Sequence, residues 1–125
     1  MKTKSIILAS LAVMVAAGPA MAHHSAAMFD AGKSVTLVGT IKEFQFTNPH
    51  SWVQVLVPDA SGKPVEWSIE WGGVSALYRQ GIRKASLKPG DRVTIIGHPL
   101  RNGNFSASMT SVTGADGMPI GQTPR

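Results

Sequence analysis

The sequence predicts an all-β domain, a small five-stranded Greek-key barrel with one short helix between the third and fourth strands. Three observations predict it. Apolar and polar residues alternate over short runs, the period-2 signature of strands with one buried face. Residues 74–82 alone carry helical spacing, and Gly, Pro and Asn-Gly signals punctuate the runs where antiparallel strands would turn.

The first strand, residues 35–46, places Val35, Leu37 and Ile41 on one parity and Phe44 and Phe46 on the other. A strand that changes face at Lys42-Glu43 requires a bulge or sharp coil there. Asn48-Pro49 interrupts, and Val53, Val55 and Val57 resume the alternation until Pro58. Residues 59–64, with Gly62, form a hairpin loop. The third strand has Val65, Trp67, Ile69 and Trp71 on one face and Glu66, Ser68 and Glu70 on the other, which separates core from water. Gly72-Gly73 ends it. Val74, Leu77, Tyr78 and Ile82 then recur at helical spacing, closed by Gly81. After Leu87 and the turn Pro89-Gly90-Asp91 comes a fourth strand carrying Val93, Ile95 and Ile96, which ends at Gly97-His98-Pro99. Asn102-Gly103 marks a hairpin into a fifth strand with Phe105, Ala107 and Met109. Residues 35–113 thus make the barrel, and residues 114–125 read as a mobile tail carrying at most a transient hairpin.

Three strands, a helix and two strands, the first long enough to serve both sheets, is the element order of the OB-fold. A small antiparallel sandwich of the same strands is the alternative, because periodicity does not distinguish the two. With 43% apolar and 15% charged residues in 125, the chain has room for one packed domain, and its composition is neither disordered nor collagen-like. No apolar run reaches the roughly 18 residues that would span a bilayer.

The N-terminus reads as an export signal, residues 1–22. Lys2 and Lys4 are a positive n-region, residues 6–17 are apolar, Gly18-Pro19 break a helix, and Ala20-Met21-Ala22 offers small residues for cleavage. Cleavage between Ala22 and His23 yields a periplasmic or secreted protein whose N-terminal segment, residues 23–34, precedes the barrel. The mature chain keeps ten basic and seven acidic side chains, a mild net charge of +3. The absence of cysteine excludes disulfides, thiol redox chemistry and thiolate metal sites.

The motifs His23-His24-Ser25, Phe29-Asp30, Gly39-Thr40, Lys42-Glu43-Phe44, Thr47-Asn48-Pro49-His50-Ser51, Val65-Glu66-Trp67-Ser68-Ile69-Glu70, Leu87-Lys88-Pro89-Gly90-Asp91 and Gly97-His98-Pro99-Leu100-Arg101 together resemble the DUF6152 family. The resemblance spans nearly all of the mature chain. It implies export and a β-barrel-like domain, and carries no activity with it. More distantly, the architecture resembles periplasmic OB-fold proteins that bind or chaperone, a likeness of fold that does not fix function.

His23, His24, His50 and His98 are the candidate metal ligands. Cleavage before His23 would put an α-amine and an imidazole on one residue, a nitrogen chelate suited to Cu(II). The arrangement resembles half of the histidine brace of copper enzymes that cleave polysaccharides oxidatively. A further imidazole would have to come from His50, His98 or His24. The alternative is structural: a polar terminus suited to signal cleavage, His98 capping a strand end and His50 bonding its turn. Zinc catalysis is disfavoured, since no acid accompanies the histidines in a His-Glu-x-x-His spacing.

Trp52, on the parity opposite Val53 and Val55, is the candidate ligand platform, with Gln54 on its face and Arg101 from the basic group. Trp67 and Trp71 share parity with Val65 and Ile69 and belong to the core. Arg79, Arg83, Lys84, Lys88, Arg92 and Arg101 either meet an anionic ligand or solvate the helix and its loops. Glu66 and Glu70 read as cross-strand partners of Lys or Arg.

No nucleophile elbow, phosphate loop or dinucleotide fingerprint is present. The expectation is an exported, non-enzymatic binding or accessory protein that takes copper through its processed terminus. The alternative is a metal-free module recognising a glycan, peptide or envelope protein, and an oxidative copper enzyme is the remaining catalytic reading. Nucleic acid is not expected as a partner, nor membrane integration, and the expected state is a monomer or weak dimer.

Overall fold

A computed structural model of the chain describes residues 26–121. The expected signal segment and His23 and His24 lie outside the described residues. Five strands, β1 (Val35–Gln45), β2 (Ser51–Pro58), β3 (Pro64–Trp71), β4 (Arg92–Pro99) and β5 (Ser106–Gly114), close into a barrel in the order β1-β2-β3-β5-β4. The helix α1 (Val74–Arg79) and a 3₁₀ turn at Lys84–Ser86 connect β3 to β4. Closure removes the sandwich alternative. No helix among the described residues is long and apolar enough to cross a membrane.

The first strand is what permits closure. Its leading half, from Val35 to Thr40, pairs with β4, while Thr40 to Gln45 pairs with β2. The register slips between Ile41 and Glu43, where the hydrophobic pattern changes parity. A bulge inserts one residue and reverses which side chains face inward, so Leu37, Ile41 and then Phe44 all pack on the same core. Gly39 makes the bend sterically feasible: a Cβ there would run into the Leu56 carbonyl. A second slip, where Ile96 pairs with Ser111 and Gly97 with Met109, leaves Thr110 as the extra residue and bends β5 against β4. The barrel is completed by a short parallel pairing of β3 with β5, Ser68 to Glu70 against Ser106 to Ser108.

The core consists of Leu37, Ile41, Val53, Val55, Ile69, Leu87, Val93, Ile95, Ala107 and Val112, with Trp67 and Trp71 packed against it. Leu77 of α1 and Ile82 beyond it are fully buried. These inward positions agree with the alternation of β1, β2 and β3; in β4 Ile96 is exposed, and in β5 the parity changes between Ala107 and Val112 while Phe105, expected on the strand, lies exposed before it.

The segment after β5 departs from the sequence expectation of a mobile tail. Gly114 donates its N–H to the Met118 carbonyl, Ile120 donates to Val112, and Thr113 bridges Pro119. The reason is apolar and local: Ile120 returns to the core, and Gly121 lies so close to Ile82 that a Cβ would sit 2.5 Å from its Cδ1. A short apolar anchor after a Gly-rich turn is enough to fold back a segment whose composition reads as loop.

Candidate functional site

The loop between β1 and β2 is built to hold His50. Ser51, fully buried, accepts the Thr47 N–H through Oγ at 3.2 Å, and its hydroxyl lies 3.2 Å from the Thr47 carbonyl. The Thr47 hydroxyl donates to the His50 carbonyl at 2.8 Å. The Asn48–Pro49 peptide is cis. Asn48 Oδ1 accepts the Val74 N–H at 2.9 Å, and Ser51 donates its N–H to Gly72, so the loop is fastened to the Gly72-Gly73 turn. Gly73 is required for this close approach, since a Cβ would stand 2.6 Å from the Pro49 carbonyl oxygen.

So held, His50 puts its ring Nδ1 2.6 Å from Glu70 Oε1. The His50 side chain is 43% exposed and the Glu70 side chain 12%. A carboxylate oxygen accepts, so Nδ1 carries the hydrogen and the neutral ring keeps its lone pair on Nε2. Among the described residues Glu70 thus meets a histidine. Glu66 follows the expectation, pairing with Lys42 at 2.7 Å.

His98 is set in a parallel way. Its Nδ1 lies 2.8 Å from the Lys33 carbonyl oxygen, which again places the hydrogen on Nδ1 and the lone pair on Nε2. The strand register connects the two sites: Trp52 opposes Glu70, Glu70 opposes Ser108, and Ser108 opposes His98. Directly opposed residues share a sheet face, so one outward row runs across β2, β3, β5 and β4. Two strand spacings, about 10 Å, separate the backbones of Glu70 and His98. Among the described residues no three His, Asp or Glu side chains converge closely enough to hold a metal ion. His50 and His98 are thus on one face but are not gathered into a single cluster, and His23 and His24 lie outside the described residues.

The remaining expected site residues divide. Trp52, half-buried, faces outward beside Gln54, which donates from Nε2 to Ser68 Oγ at 3.1 Å. Arg101 is engaged elsewhere: its Nε donates to the Ala27 carbonyl at 3.1 Å, its backbone N–H donates to Met28, and its guanidinium stands 3.8 Å from Asp30. With the Asp30 N–H bonded to Pro99 and a bridge between Phe29 and Leu100, these contacts fasten the N-terminal segment to the end of β4. Pattern reading did not anticipate the contact between Glu70 and His50. His50 is a loop residue twenty positions earlier, and only the β2–β3 register makes them neighbours.

The fold resembles that of the mitochondrial single-stranded DNA-binding protein Rim1 from S. cerevisiae. One crystal form is 8% identical over 74% of this chain and 98% of that one, with a TM-score of 0.49. A selenomethionine form is 12% identical over 73% and 97%, with a TM-score of 0.45. No curated protein matches the sequence. The model of DUF6152, a family of unknown function, matches residues 11–109, and the chain belongs to that family.

Proposed function

We propose that the protein is exported, is cleaved between Ala22 and His23, and serves as a non-enzymatic binding protein for copper. The α-amine and imidazole of His23 form the primary chelate, and one imidazole of the barrel adds a third nitrogen. The observation that carries this reading is the pairing of each described histidine with an acceptor at Nδ1, Glu70 for His50 and the Lys33 carbonyl for His98. Ligating histidines use this arrangement, since the hydrogen bond orients the ring and leaves Nε2 as the donor atom. The anchored N-terminal segment adds support. Covalent geometry keeps His23 within about 11 Å of Ala26, and Ala27 is fastened to Arg101 at the end of β4.

The test is a Cu(II) titration of the mature protein beginning at His23, against the same protein with one residue added ahead of it. The expected result is a single submicromolar site with nitrogen hyperfine structure in electron paramagnetic resonance, weakened by the added residue. Unchanged affinity in the extended protein overturns the reading.

A second reading rests on the outward face of β2 and β3, where Trp52 and Gln54 lie opposite Glu70 and Ser68. An indole beside amide, hydroxyl and carboxylate groups suits a glycan or peptide of an envelope partner. Glu43, Glu66 and Glu70 share this outer face and disfavour phosphate, so nucleic acid does not suit it. Trp52→Ala should weaken capture of such a ligand and leave the fold intact; equal capture by the variant counts against this reading.

A further inference from the structure

We propose that the cleft between α1 and the folded-back hairpin after β5 binds a phosphate monoester, with Arg83 as the fork that grips the phosphate oxygens and Arg79 as a second cation. This site shares no residue with the histidines or with the outer face of β2 and β3.

The cleft, about 590 Å³, is lined by Tyr78, Arg79 and Arg83 from α1 and the residues after it, and by Pro119 and Gly121 of the hairpin. Both arginines are exposed. Arg83 is oriented before any ligand arrives. Its guanidinium carbon stands 3.5 Å from the centre of the Tyr78 ring, and its Nη1 donates to the Tyr78 and Ile82 carbonyls, at 3.0 Å each. A guanidinium has five N–H groups, so with Nη1 engaged the Nε and Nη2 groups remain. Among the described residues these have no acceptor. Nε–H and one Nη2–H lie parallel on one edge, a spacing that matches two oxygens of a single phosphate. A side chain already held in this way loses little conformational freedom on binding.

Charge specifies the ligand. Residues 72–90 carry Arg79, Arg83, Lys84 and Lys88 and no acid, and among the described residues none of the four is ion-paired. The adjoining cleft, which shares Pro119, differs: there Arg92 lies with Asp91 and Asp116, and the charges offset one another. Two uncompensated arginines match the charge of about −1.5 to −2 on a phosphate monoester. A helix C-terminus ordinarily disfavours an anion. Here its carbonyls are occupied, Leu77 by the N–H groups of Gln80 and Ile82, and Tyr78 by those of Gly81 and Arg83. The volume exceeds what a bare phosphate fills and falls in the range of small-molecule sites, so the organic part of the ester enters too.

The test measures binding of glucose 1-phosphate, inorganic phosphate, acetate and phosphatidylcholine vesicles containing phosphatidic acid to the mature protein, by calorimetry and by NMR shifts of the Arg79, Gly81 and Arg83 amides. Glucose 1-phosphate should bind more tightly than inorganic phosphate and shift these amides. Arg83→Lys, which keeps the charge and removes the fork, and Arg79→Gln, whose side chain caps nothing, should each weaken binding about tenfold; thermal melts establish that both are folded. Arg92→Gln should bind as the unaltered protein does. Binding confined to the vesicles identifies the monoester as a lipid headgroup, and binding of the sugar phosphate identifies a soluble ester. Absence of binding to every phosphate, equal affinity for acetate, or unchanged affinity in both Arg83→Lys and Arg79→Gln overturns the proposal.

Discussion

His98 and Lys33, sixty-five positions apart, are joined by a 2.8 Å hydrogen bond from the ring Nδ1 to a backbone carbonyl. It is one of several bonds that lay the N-terminal segment along the end of β4. His98→Ala removes it and should cost about 1 kcal/mol, as for a typical part-exposed hydrogen bond. Hydrogen exchange at the Asp30 and Arg101 amides should accelerate more than exchange at Val53 or Ile95. Equal protection at all four amides would show that the ring does not hold the segment.

Gly73→Ala should destabilise the protein by about 1–3 kcal/mol through overpacking. The backbone at Gly73 is extended with φ of −68°, so the penalty is purely steric, from the Pro49 carbonyl and Asn48 Oδ1. The opposite case is Gly62, where φ is +84° and nothing lies within 4 Å of a Cβ. There Ala pays only for the left-handed backbone, about 1–2 kcal/mol. Urea unfolding of both, with NMR of the His50 ring, distinguishes them: only Gly73→Ala should disturb the His50–Glu70 contact.

Ile95→Ala should cost about 2–5 kcal/mol, because the side chain is fully buried and its removal leaves a cavity in the barrel. Val38→Ala, on the outer face of β1 with half its surface exposed, should stay within about 0.5 kcal/mol. Denaturant midpoints at constant m-value measure both, and similar losses would contradict the assigned faces of the barrel.

Truncation after Gly114 should lower the denaturation midpoint, although the removed residues read as loop. The loss should be reproduced in large part by Ile120→Ser, since Ile120 is the apolar group that the hairpin returns to the core. A truncated protein of unchanged stability would contradict the anchored hairpin.

Asp59, at the β2–β3 hairpin, accepts from the Ser61 hydroxyl and from the backbone N–H groups of Lys63 and Ser61. The Ser61 hydroxyl first, and then the Lys63 N–H, hold its carboxyl below the usual value of 3.8. A folded pKa below the unfolded one means that the contribution is present above about pH 4 and is lost as pH falls through the folded pKa. The stability difference between the protein and Asp59→Ala should therefore shrink on acidification below pH 4. An Asp59 carboxyl that titrates by NMR above 3.8 would contradict the assignment.

The strands and their inward faces were legible because alternation is a local property: Val53, Val55, Ile69 and Ile95 sit in the core where period 2 puts them. The bulge in β1 was legible for the same reason, from the change of parity at Lys42-Glu43. The folded-back hairpin after β5 was not, because a single isoleucine among Gly, Pro and polar residues leaves no periodic trace. The partner of Glu70 was hidden as well, since the same alternation allows a cross-strand cation.

By itself the sequence determined the element order, the all-β class, most of the core positions and the supply of candidate nitrogen donors, all of which follow from residue type and spacing, whereas barrel closure was decided by the strand pairing. Tertiary structure alone decided which donors are oriented and by what. The β2–β3 register brings Glu70 to His50, and the N-terminal segment presents the Lys33 carbonyl to His98. Those contacts depend on how strands are paired across the barrel, a long-range outcome of packing that no local spacing encodes.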